Sequence, residues 1–144
     1  MERTAAERSA VPERCVIVVA GDLPVGRAAN AAAVIALTVG QRHPGLVGAP
    51  LIDASACEHP GLIPIGITVL AADAADLSSI RDRGLQAGCD VIDFPVQGQQ
   101  TMNYGAFRAA VAQVATSELR YVGVALVGPR EPIKKIVGTL ALLK

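Results

Sequence analysis

Apolar and polar positions along the chain alternate between strand-like and helix-like patterns. Residues 15–20, CVIVVA, are an unbroken apolar run rich in β-branched side chains and stopped by Gly21. That is the pattern of a central strand buried on both faces. A helix is predicted from Gly26 to Gly40, with Gly40 placed to end it. Its only polar members are Arg27, Asn30 and Thr38. A helix apolar nearly all round is buried on more than one side, so either a neighbouring element or a second copy of the chain is expected to cover it. Residues 41–61, with His43 and three prolines, read as a long irregular connection.

The next run, LIPIGITVL at 62–70, reads as a strand with an edge or bulge at Pro64 and Gly66. Asp73 is expected to N-cap a second helix with the stripe Leu77, Ile80, Gly84 and Ala87, ended by Gly88. A short strand at 90–94, a polar loop at 95–103 and a third helix at about 104–116 follow. Tyr104, Phe107, Val111 and Val114 recur on that helix at helical spacing, which marks them as core before a stacking platform. RYVGVALV at 120–127 is a strand, Gly128-Pro129 breaks it, and Pro132 suits the first turn of a fourth helix running to about Gly138. The alternation predicts an α/β protein of three layers, α/β/α, with a mixed sheet of about four strands.

Length and composition narrow the picture. The 144 residues suit one domain, 14–144, after a frayed lead-in at 1–13. Half the chain is hydrophobic and only 3% aromatic, so the core must be built from Val, Ile, Leu and Ala. The zero net charge argues against a broad nucleic-acid-binding surface. Residues 51–101 hold seven acids against two arginines, whereas residues 102–144 hold six bases against two acids. Arg130, Lys134 and Lys135 in that basic stretch read by default as a solvated helix face. Cys15, Cys57 and Cys89 are scattered without a CxxC, as in a reduced, cytoplasmic protein. No secretion signal and no run able to span a membrane is read from the sequence.

The turn GDLPVGR at 21–27 joins the first strand to the first helix. It matches neither GxxxxGK[ST] nor GxGxxG, yet a helix N-terminus beside Arg27 could attract an anion. Asp22 and Asp93 both fall where strands give way to loops, the usual ligand-binding end of an open α/β sheet. Asp53, Cys57, Glu58 and His59 are the densest group of ligand-type residues, but their spacing fits no zinc signature. His43, beside Pro44, reads as solvated.

The junctions DLPVG and RYVGVALVGPREPIKKIVGTLALL resemble the peptidyl-tRNA hydrolase II fold. From about 14 to 143 the chain more closely resembles a bacterial family of that fold, domain of unknown function two thousand. CVIVV, DLPVGRAANAAA, PGLVG, LIDAS, DVIDF and YVGVALVGPR carry the likeness. In the hydrolases the resemblance implies a catalytic Lys, a Gln and a His at positions that here are Ala29, Ala33 and Ala36. Gln97 stands where the hydrolase loop has Thr. A methyl group can neither position water nor stabilise an oxyanion. The expectation is therefore a small-anion-binding or regulatory module at Asp22, Gly26, Arg27, Asn30 and Asp93, with no cofactor or metal. The alternative is a hydrolase of peptidyl-tRNA or a related ester that uses Asp22, Asn30 or Asp93 in new roles. A homodimer hiding the apolar helix is a third reading.

Overall fold

The computed structural model describes residues 11–144, so residues 1–10 of the expected lead-in lie outside the described part. Strand β1 (Arg14–Ala20) forms the middle of a five-stranded sheet. The other strands are β4 (Thr68–Ala72), β5 (Asp90–Pro95), β6 (Tyr121–Gly128) and β7 (Ala141–Leu142), in the order β5-β6-β1-β4-β7. β1 and β4 are parallel, and every other neighbouring pair is antiparallel. β2 (Leu51–Ile52) and β3 (Glu58–His59) pair separately as a small hairpin.

Four helices among the described residues cover the sheet. Helix α1 (Val25–Arg42) lays Ala28, Ala31, Ile35 and Val39 on one face, against Ile17, Val19, Ile92 and Ala125. Its alanines permit a close approach, and so does Gly123 beneath it: a Cβ there would stand 2.9 Å from Ile35 Cδ1. Helix α3 (Tyr104–Val111) adds Phe107 to the same layer, against Phe94. On the opposite face, α2 (Leu77–Gln86) and α4 (Arg130–Val137) bury Leu77, Ile80, Ile133 and Ile136 against Val16, Val18, Val124 and Leu126. Each large aliphatic side chain so buried stabilises the fold by about 1.5–3 kcal/mol before entropy is counted. Among the described residues no helix is long and apolar enough to cross a membrane.

The mixed three-layer architecture agrees with the sequence reading, but several boundaries move. The sheet has five strands instead of about four, because the chain end folds back and Ala141 pairs with Ala71. The strand expected at 62–70 begins only at Thr68. Gly66, at φ +71°, donates its N–H to Ile63 and makes a turn of what precedes. Helix α1 continues through Gly40 to Arg42, whose side chain is anchored to Asp90. The third helix stops at Val111 instead of running to 116, and Ala87 of the expected second stripe is exposed. Helix α1 also buries one face only, leaving Val25, Val34 and Leu37 exposed.

Candidate functional site

β1 and β4 lie side by side in parallel, in register from Val16↔Thr68 to Ala20↔Ala72. Their continuations part: α1 packs on one face of the sheet and α2 on the other. Such a divergence opens a crevice beyond the carboxyl ends of the two strands, where α/β sheets hold their ligands. A bond from Gly21 N–H to the Ala72 carbonyl, 2.9 Å, ties the two strand ends together at its floor. The cleft has a volume of about 730 Å³, and Asp22, Asp73, Asp76, Thr139 and Leu140 are among its lining residues. All three carboxylates are on exposed residues, and no Arg, Lys or His stands among the described lining residues. Asp73 was expected to cap α2. It precedes the 3₁₀ turn 74–76 instead, and neither its side chain nor that of Asp76 bonds the adjoining helix N-terminus.

The five residues expected to form one site occupy three places. Asp22 lines the cleft. Gly26 and Arg27 sit exposed in the first turn of α1, whose N-cap, Pro24, offers no side-chain bond. Asn30 follows one turn later; Gln99 Nε2 donates to its Oδ1 at 3.2 Å and to the Arg27 carbonyl at 2.9 Å. Asp93 lies on the far side of the sheet. Ile92 and Phe94 pack in the α1 layer while Val91 joins the α2 layer, and strand alternation puts Asp93 with Val91. There Arg81 of α2 donates to Asp93 Oδ2 at 2.6 Å, with its guanidinium 5.9 Å from the Tyr121 ring centre. The sheet therefore stands between Asp93 and Asn30.

Ala29 and Ala33 are exposed on the part of α1 that turns away from the sheet, and Ala36 is half-buried against the edge of the core. Gln97 lies in the 3₁₀ turn after β5, its Oε1 buried without a hydrogen-bond partner among the described residues.

Sequence reasoning missed the tightest polar cluster. Asp90, 8% exposed, accepts two bonds from Arg42 at 2.8 Å and lies 2.7 Å from His43 Nε2. Burial pushes the Asp90 carboxyl up, but the Arg42 and His43 hydrogen bonds and charges outweigh it and hold the group below its ordinary range. His43 is thus not solvated as expected; its side chain is only 9% exposed. The one signal for this cluster was an acid at the head of a mainly apolar strand.

In the β2–β3 hairpin, Asp53 accepts from the Ser55 and Cys57 N–H groups and lies 2.8 Å from His59 Nε2. The His59 bond, then the two backbone bonds, lower the Asp53 carboxyl. These bonds account for the clustering of Asp53 and His59 as a turn lock. Cys57 is exposed beside them. Among the described residues no three His, Cys, Asp or Glu side chains are grouped to hold a metal ion.

The family described as "Protein of unknown function (DUF2000)" matches residues 13–144. A solved structure of a protein of unknown function, Atu0240 from Agrobacterium tumefaciens strain C58, is similar in fold. It shares 22% identity at a TM-score of 0.81, over 90% of this chain and 96% of that one. Among curated proteins none matches. With its model matched over nearly the whole chain, the DUF2000 family is the one to which this protein belongs.

Proposed function

We propose that the protein binds a small ligand in the cleft at the ends of β1 and β4 and performs no hydrolase chemistry there. One observation carries the reading: a roughly 730 Å³ cleft, at the point where two parallel strands send their helices to opposite faces, is lined by Asp22, Asp73 and Asp76. The sequence favoured an anion, from the helix turn and Arg27. The acidic lining favours the opposite sign, because a phosphate or carboxylate entering it would meet three like charges. The three carboxylates are not grouped as a metal ion requires. An organic cation, such as a small amine with hydroxyl groups for Thr139, matches the lining better.

The hydrolase alternative is disfavoured. Three positions implied by the family likeness are alanine, and Asp93 and Asn30 lie on opposite sides of the sheet, where they cannot share a substrate atom.

Thermal-shift titration with a panel of mono- and diamines, set against phosphates and carboxylates, tests the proposal. A ligand at a hundredfold excess over its Kd should stabilise the protein by about 2.7 kcal/mol. Amines are expected to raise Tm in the native chain and not in Asp22→Asn/Asp73→Asn. Stabilisation by anions alone, or equal effects in the variant, would overturn it.

A further inference from the structure

Four consecutive residues of β5, Val91 to Phe94, line one groove of about 390 Å³. Successive side chains of a strand point to opposite faces, so a groove touching four in a row runs along the strand's edge. β5 is the outermost strand on this side of the sheet. Beyond its pairing with β6, residues 91–94 make no backbone–backbone hydrogen bond among the described residues. An open edge of this kind is a template for another strand.

The groove is walled by Val34, Thr38 and Arg42 of α1 and by Tyr104 and Phe107 of α3. Tyr104 and Phe107 also line a second hollow of about 340 Å³, with Arg108 and Val111. The rim of the groove is open and of mixed character: Val34 is 42% exposed, Tyr104 74% and the Arg42 side chain 50%. Edges are usually guarded by charge. Here both acids of β5 are already engaged within the chain, Asp90 by Arg42 and His43 and Asp93 by Arg81.

We propose that this edge pairs with the β5 edge of a second copy of the chain, extending the two sheets into one across a two-fold axis. The charges favour that occupant. Antiparallel pairing centred on Ile92 sets Ile92 opposite Ile92, Val91 opposite Asp93 and Asp90 opposite Phe94, so no carboxylate faces another. The same two-fold brings the Tyr104 end of each groove to the Arg42 end of the other. There a half-exposed guanidinium meets an exposed aromatic ring. It also sets α1 beside α1 on one face of the joint sheet, covering Val34.

Sedimentation equilibrium of the full chain over the micromolar to millimolar range, combined with amide hydrogen exchange, tests this. The expected species has twice the 14.8 kDa chain mass, with amides of residues 91–94 protected in the dimer and exposed on dilution. Val34→Lys and Tyr104→Lys, both outside the ligand cleft, should each weaken the dimer by about tenfold or more without altering the far-UV CD spectrum. A monomer at every concentration overturns the proposal, and so does a monomer that captures an extended peptide along β5. A dimer that survives both substitutions, or whose β5 amides exchange as fast as the monomer's, overturns it as well.

Discussion

Replacing Asp90 with Ala removes the acceptor that joins the end of α1 to the start of β5. His43 loses its partner where its side chain is only 9% exposed, so a polar group is stranded almost out of reach of water. Such a group costs about 1–3 kcal/mol. The Arg42 side chain, 50% exposed, can turn to solvent, so its share is small, about 0–1 kcal/mol. Together the loss is about 1–4 kcal/mol, equivalent in a domain of this size to a fall in Tm of roughly 3–12 °C.

The loss must also depend on pH. The folded-state carboxyl titrates below its ordinary value of 3.8, so its contribution is complete above that value and drains away as pH falls through the folded pKa. Urea unfolding of wild type and Asp90→Ala across the acid range measures both effects. The gap should be widest at neutral pH and should close in strong acid. A neutral-pH gap below about 0.5 kcal/mol, the scale of an ordinary surface substitution, would refute the reasoning. So would a gap that does not change with pH.

Other substitutions separate packing from surface charge. Gly84→Ala improves helix propensity but drives a methyl into Leu126 Cδ2 and to 3.0 Å from Val91 Cγ2. It should therefore destabilise by about 1–3 kcal/mol in chemical denaturation. Arg81→Ala breaks a partly exposed pair with Asp93 and should cost only about 0.5–1 kcal/mol, leaving amine binding in the cleft unchanged by calorimetry. Burial pushes the Cys15 thiol up to about 11 and raises that of Cys89, while Cys57 is exposed. Native protein should thus react at one thiol with a disulfide reagent and at all three once unfolded. Diacetyl-lysyl-tRNA incubated with the protein should hydrolyse at its background rate, and Asp93→Ala should leave that rate unchanged.

Local pattern made the layers legible. The runs at 15–20 and 120–127 read as strands and are strands, whereas the helix at 26–40 is too uniformly apolar for its buried stripe of Ala28, Ala31, Ile35 and Val39 to stand out. Two of the slips were decided by contacts far along the chain. Gly40 does not stop α1 because Arg42 is held by a carboxylate 48 residues away. β7 is two residues long and exists only because Leu70 and Ala71 offer an edge.

The site shows the same division. Asp22 was legible as a strand-end carboxylate. Asp73 reads as a helix cap and Asp76 carries no sequence signal of its own; only the fold brings them to the same cleft. Asp93 was misgrouped because strand alternation says which residues share a face, but not which helix covers it.

The most direct test of the ligand-binding account is an NMR titration of the isotope-labelled full chain with the best amine from the thermal-shift panel. Amide shifts should concentrate at 21–23, 72–76 and 139–141, saturate with a single Kd, and disappear in Asp22→Asn/Asp73→Asn. Shifts that gather instead at 25–30 with an anion, or that appear nowhere with any amine, would contradict it.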